Sequence, residues 1–162
     1  MHRKNPNPAF GSNLEPFHGI TTFMRLPASR DLKEIDVAIV GIPFDGGASY
    51  RAGTRFGPRK IRELSVLLWG FNQVLKVFPT EVLKIVDYGD VGVIPVDILA
   101  TMDNITNEVK NILDEDVRVI ALGGDHSITL PLLRAHNLKY GELAVVHFDS
   151  HPDTWEWEYE NQ

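Results

Sequence analysis

The sequence contains no cysteine, which excludes disulfides and thiolate metal sites. It has no apolar run of the roughly 18 residues that a membrane-spanning helix requires. Its opening, Met1-His2-Arg3-Lys4-Asn5-Pro6, is basic but leads into no apolar stretch, so it does not read as a secretory signal. The expectation is a cytoplasmic protein with no membrane partner. Positive charge is also scarce: 16 Lys and Arg face 22 Asp and Glu, for a net charge of −6. The arginines are scattered, so nucleic acid is not expected as a partner. An acidic balance fits a cationic ligand or a site crowded with carboxylates. What remains is ordinary for a globular protein, with 43% apolar and 23% charged residues, and 162 residues suit one domain with a sizeable core.

Residues 1–35 read as an extended N-terminal arm, punctuated by Pro6, Pro8, Pro16 and Pro27 and loosened by Gly11 and Gly19. Phe10, Phe17 and Phe23 favour packing of this arm on the domain or a neighbour over disorder. Regular patterning begins at Asp36 and defines a second region, residues 36–162. Val37-Ala38-Ile39-Val40 reads as a buried strand entering a loop at Gly41-Ile42-Pro43. Pro58 to Leu68 reads as a helix, with Pro58 in its first turn and Ile61, Leu64 and Leu68 on its apolar face. Lys84-Ile85-Val86-Asp87 is a second strand, closed by a turn at Tyr88-Gly89-Asp90. Val96 to Leu113 keeps helical spacing through Ile98, Met102, Ile105, Val109 and Ile112. Val117 to Leu122 is a third strand, and Ser127 is expected to cap a helix running to about Asn137. Leu143 to Phe148 reads as a fourth strand. This alternation predicts an α/β fold with a mainly parallel sheet. The sequence stops shortly after the fourth strand with no helix to cover it, so a truncated domain is expected.

Ligands bind beyond the carboxyl ends of strands in such sheets. Gly123-Gly124-Asp125-His126-Ser127 follows the third strand, and Asp149-Ser150-His151-Pro152-Asp153 follows the fourth. If those strands are neighbours, His126, Asp149, His151 and Asp153 converge. Mixed imidazole and carboxylate donors suit Mn, Fe, Ni or Zn better than Ca or Mg. An aspartate can bridge two ions, and ions about 3.5–4 Å apart can hold a hydroxide at neutral pH. His147 shares its side of the strand with Asp149 but reads as a core or supporting group, and Asp125 reads equally well as a cap or turn residue. His2, His18 and His136 have no supporting context. Asp114 and Asp116 precede the third strand, at the wrong end of the sheet. Asp87 and Asp90 lie at the right end, in the expected turn.

The loop Gly41-Ile42-Pro43-Phe44-Asp45-Gly46-Gly47 fits neither common phosphate-binding fingerprint, so its glycines are read as serving tight turns and close backbone approach. Arg51, Arg55, Arg59 and Arg62 are expected to pair at the solvent surface or an interface.

Together these residues resemble the first half of a ureohydrolase of the arginase–agmatinase family. The two His/Asp loops match two of its metal-binding motifs. Gly41-Ile42-Pro43-Phe44-Asp45-Gly46-Gly47, Arg51-Ala52-Gly53-Thr54-Arg55, Gly57-Pro58 and Ile61-Arg62 resemble the agmatinase branch, as does the arm segment from Gly19 to Pro27. The likeness covers nearly the whole sequence. It implies a three-layer α/β/α fold and a binuclear manganese site, with Ni²⁺ or another divalent ion as alternatives. That site hydrolyses a guanidino group to urea and an amine, through a hydroxide held between the ions. His126 and Asp153 would bind one ion, His151 the other, and Asp149 both. The implied substrate is a small guanidino compound, foremost agmatine, giving putrescine, and the implied assembly is a homo-oligomer, a trimer or hexamer. A guanidinobutyrase or formimidoylglutamase-type hydrolase uses the same scaffold, and a short noncatalytic paralogue pairing with a full-length relative is a third reading. Ser150 and Pro152 stand where the family usually has Ala and Thr, and Pro152 removes a backbone N–H between two ligands. The family's later Asp-x-Asp ligands, its proton-transfer histidine and its acidic guanidinium contact have no counterpart here. The 162-residue chain alone is therefore expected to be inactive or nearly so.

Overall fold

Val37–Ile42 forms β1, the middle strand of a parallel sheet, and every one of its six positions is buried. A strand paired on both edges and covered on both faces has no polar position, which is why the run is continuously apolar. The computed structural model describes residues 15–153. Within them the other strands are β2, Ile85–Asp90, and β3, Arg118–Gly123, in the order β2-β1-β3.

Alternation along β1 divides the core in two. Ala38, Val40 and Ile42 face a cluster that includes Ile105, Val109, Ile112 and Leu113 of α3 (Ile98–Asp114) and Ala135 of α4 (Thr129–Tyr140). Val37 and Ile39 face a smaller cluster with Leu26 and Leu122, joined by Phe23 and Met24. That second face also carries α1, Gly57–Ser65. The result is helix, sheet, helix in three layers. A short helix, α2 (Pro79–Val82), precedes β2. Truncating Ile112, which is fully buried, to Ala is expected to cost about 2–5 kcal/mol. A fall in the urea midpoint at unchanged slope would record it.

α3 starts at Ile98, two residues later than the spacing suggested, because Asp97 caps it, accepting from the Ala100 N–H at 2.9 Å. Inside the first turn, Thr101 Oγ1 donates to Ile94 O and accepts from Ile94 N. Asp97→Ala should lower stability by about 1 kcal/mol, a loss that Asp97→Ser should largely restore in thermal melts.

Five expectations are corrected. α1 does not bury its apolar stripe: Pro58, Arg62 and Ser65 face inward, while Ile61 and Leu64 are 39% and 61% exposed. Directed polar contacts set this orientation. Arg62 reaches Asp87 and Asp90 of β2, and Ser65 Oγ accepts from the Met24 N–H at 2.8 Å. Arg62 thus pairs internally, not at the surface or an interface. Tyr88-Gly89-Asp90 is strand, not turn. β1 pairs with Asp87 and then with Gly89, leaving Tyr88 as the extra residue of a bulge, and Gly89 takes φ 89°. Ser127 does not cap the helix. Asp125 caps the 3-10 turn His126–Ile128 that leads into α4, accepting from the Ser127 N–H at 3.0 Å.

The fifth correction concerns residues 143–148, which form no strand. An apolar run becomes a strand only when a ladder satisfies its backbone, and among the described residues this one has none. Val145, Val146 and Phe148 are 57%, 79% and 95% exposed.

Of the arm, residues 1–14, with Pro6, Pro8, Phe10 and Gly11, lie outside the described residues. The part from Thr22 to Ser29 packs on the domain: Leu26 is buried, and Pro27 O and Ser29 N bond to the backbone of Asp87 along the outer edge of β2.

Candidate metal centre

The loop after β3 carries the first donor. It is shaped by two close approaches that only glycine allows. At Gly124, φ is 31°, and a Cβ there would lie 2.4 Å from Phe44 O and 2.6 Å from Ile42 O. At Gly57, a Cβ would lie 2.5 Å from Gly123 O. Asp125 ties this loop to the one after β1, accepting from the Gly47 N–H at 2.7 Å, while the Ser127 hydroxyl also donates to it. His126 follows, at the start of the 3-10 turn, half exposed and facing outward from the end of the sheet.

The second group of donors lies on the bend at 149–151 and the residues after it. His126 Nε2 stands 3.3 Å from Asp153 Oδ2, and His147 Nε2 stands 3.6 Å from Asp149 Oδ2. The rings of His126 and His147 stack with centroids 5.1 Å apart and planes 5° from parallel. One donor atom from each of His126, His147 and Asp149 lies within 4.8 Å of the others. The His151 backbone N–H donates to Asp149 Oδ1 at 3.0 Å, and this bond leads the effects that hold the Asp149 carboxyl below its ordinary pKa, with the His147 ring adding to it. Asp149 is thus a ready anionic donor near neutral pH.

The four residues singled out from the sequence are therefore not equivalent. His126, Asp149 and Asp153 come together. His151 stays 77% exposed, its Nδ1 3.6 Å from Asp149, and is not part of the tight group. His147 lies beside His126 and Asp149 and is not a core residue. The signal that could have found it was its sequence parity with Asp149. Thr129, Leu130 and Val146 join His126, His147 and Asp153 around a cleft of about 640 Å³. Two imidazoles and two carboxylates at one end of a sheet fit a divalent transition ion and do not fit a thiophilic one.

The neighbouring loop, residues 43–56, is fixed by Asp45, a buried carboxylate that sequence reasoning passed over. Asp45 accepts from the Gly53 N–H at 2.6 Å and from Arg55 Nε at 2.6 Å. The Arg55 side chain first, and the Gly53 N–H second, lower its pKa from 3.8 to about 2. A depressed carboxyl pKa contributes stability that is present in full above the unfolded value and disappears as pH falls through the folded one. The clamp should therefore hold down to about 3.8 and fail towards about 2. Asp45→Asn is expected to flatten the pH dependence of stability across that window in acid unfolding curves.

The arginase family model matches residues 35–162. The chain is 40% identical over 156 residues to the guanidinobutyrase of Pseudomonas aeruginosa, an alignment covering 94% of this chain and 49% of that protein. It is 42% identical over 155 residues to the agmatinase of Chromobacterium violaceum, covering 90% of this chain and 46% of that protein. The crystal structure of a hypothetical agmatinase from Burkholderia thailandensis superposes with a TM-score of 0.84 at 38% identity, over 90% of this chain and 47% of the other. The chain spans about half the length of the curated relatives it matches.

Proposed function

Because the chain belongs to the arginase family, we propose that it supplies one half of a metal-dependent site that hydrolyses the C–N bond of a guanidino compound. The observation that carries this reading is the meeting of His126, Asp149 and Asp153 beyond the carboxyl end of the sheet. When bound, a pair of divalent ions, manganese foremost and Ni²⁺ as an alternative, supplies Lewis-acid polarisation and makes water nucleophilic at neutral pH. The chain's own residues do the rest of the positioning. Asp149 is held ionised by the His151 N–H. Asp125 ties the loop of His126 to the loop after β1 and so fixes its approach to Asp153. An acidic rim suits a planar guanidinium cation, and the chain's net charge of −6 adds to that attraction.

Agmatine, yielding putrescine and urea, is the substrate we favour. The alternative is a guanidino acid, since the guanidinobutyrase is as similar as the agmatinase. Among the described residues no helix is long and apolar enough to cross a membrane. The proposal includes a cytoplasmic location and a trimeric or hexameric full-length form.

The test is urea release from agmatine and from 4-guanidinobutyrate by the longest natural polypeptide that carries this sequence, charged with manganese. Chelation should abolish turnover. Asp149→Asn should reduce it by more than about 100-fold, beyond the 10–100-fold typical of groups that only orient ligands. The 162-residue chain by itself should show no measurable turnover, because these donors are too few to complete two ions. Full-length protein that binds manganese yet hydrolyses neither compound would sink the reading and favour a noncatalytic subunit.

A further inference from the structure

We propose that the outward side of α1 and the loop that continues it, residues 66–78, form a contact surface for a second copy of this chain, paired about a two-fold axis. The inference goes beyond the functional reading and needs neither metal nor hydrolysis. A two-fold contact joins copies in pairs, so of the two full-length forms proposed above it selects the hexamer.

α1 carries an apolar stripe on the side that the sheet does not cover. Arg62 and Ser65 are turned inward, which leaves Ile61, Leu64 and Leu68 facing outward. The loop after the helix extends this surface. Trp69 is 92% exposed, and at the tip Val74 and Leu75 are 87% and 72% exposed. The loop is held in shape from within. Asn72 Oδ1 accepts from the N–H groups of Val74 and Leu75 at 3.0 and 2.9 Å, the Asn72 N–H donates to Val77 O at 2.8 Å, and the rings of Phe71 and Phe78 stand 4.9 Å apart. A loop fixed by its own bonds while its tip shows apolar side chains loses little freedom on docking.

The size of the surface argues for a whole protein as the partner. Trp69 alone offers about 150–250 Å². With Leu64, Leu67, Leu68, Val74 and Leu75 the apolar area is on the order of 800 Å², the amount each partner buries in a stable complex. Charge argues for a second copy. Arg59 and Lys60, at the rim, already pair with Glu63 of their own helix at 3.4 and 2.8 Å, so the rim calls for no acidic partner and two copies do not repel. One self-complementary apolar patch is all that a two-fold contact requires. Further strands of the same protein would leave this surface bare. The arm takes the β2 edge at Asp87, so the sheet is open at β3, and strands added there lie in its plane, not over the outward side of α1.

Sedimentation velocity over a dilution series of the longest natural polypeptide that carries this sequence tests the proposal. The unsubstituted protein should hold an even number of copies. Trp69→Glu should weaken the pairing by at least about 30-fold, the scale of a hot-spot residue, while Trp69→Phe keeps it within about threefold. Val96→Glu, at an exposed apolar position on the opposite face of the sheet, should change nothing. Circular dichroism checks that each variant is folded. A second measurement does not depend on tolerance of a charge: these 162 residues hold no cysteine, so Leu68→Cys adds a unique thiol to this half, and a short bis-maleimide should join two copies beyond the level of the unsubstituted protein. An odd copy number, pairing unchanged in Trp69→Glu, equal weakening by Val96→Glu, or no added cross-link at Leu68→Cys would each overturn the proposal. An assembly that behaves as expected yet releases no urea would defeat the functional reading and leave this one standing.

Discussion

Arg62→Ala is expected to destabilise the protein by about 3–5 kcal/mol, the range for removing one partner of a buried ion pair. Arg62 Nε and Nη2 donate to the two oxygens of Asp87 at 2.8 and 2.9 Å, and Nη1 donates to Asp90 at 2.6 Å. Asp87 is only 3% exposed. Burial works against the Arg62 charge, but the two carboxylates more than offset it and raise its pKa. After truncation, Asp87 would keep its bonds from the Phe23 and Gly89 N–H groups but lose its counter-ion. The fork also joins three elements: α1, β2 and, through Asp87, the 3-10 turn at Phe23. Arg62→Lys preserves charge but cannot donate to both carboxylates in that geometry, so it should recover only part of the loss. Urea unfolding followed by circular dichroism provides the comparison. A loss below about 1 kcal/mol for Arg62→Ala, the scale of an exposed pair, would show that the fork is not desolvated.

Gly124→Ala is expected to have an effect of similar or greater size, and to act on the site as well as on stability. A non-glycine residue at positive φ costs on the order of 1–3 kcal/mol by itself. At Gly124 that strain is joined by overlap with two carbonyl oxygens of the β1 loop, backbone atoms that cannot step aside as a side chain can. Gly141 supplies the control. It has φ 81° with nothing within 4 Å of a Cβ, so Gly141→Ala should show the conformational strain alone. The difference between the two variants measures the close approach. Because Gly124 lies two residues before His126, the Gly124→Ala variant of the full-length protein should also bind manganese more weakly, whereas Gly141→Ala should keep it. Equal losses for the two glycines, with binding intact in both, would remove the contact between the loops from the account of this site.

The elements read correctly from the sequence are those whose local pattern and tertiary role coincide. β1 is apolar at each position because it is the central strand, and α3 has both its capping aspartate and its buried stripe. The errors arise where long-range pairing decides. Arg62 lies on the polar side of α1 by pattern, yet its inward orientation depends on Asp87, 25 positions away. Tyr88-Gly89-Asp90 carries turn residues, yet β1 alongside makes it a bulged strand. Residues 143–148 have strand composition without a ladder, since composition cannot supply a partner. At the site, the motif spacing identified His126, Asp149 and Asp153, which the fold brings together. It did not show that His147 would lie beside them, because that depends on the path of residues 143–148, which spacing does not carry.

The order β2-β1-β3 also sets a timetable for folding. Val37 pairs with Ile85, 48 positions later, and with Arg118, 81 positions later. The most apolar strand is therefore synthesised before either neighbour exists. Its two ladders close large loops whose entropy must be spent before any hydrogen bond forms, and each doubling of loop length adds about 0.6 kcal/mol. Such nonlocal topology belongs with slower-folding domains. During synthesis, β1 stays unpaired until β2 emerges, and one of its edges stays open until β3 follows.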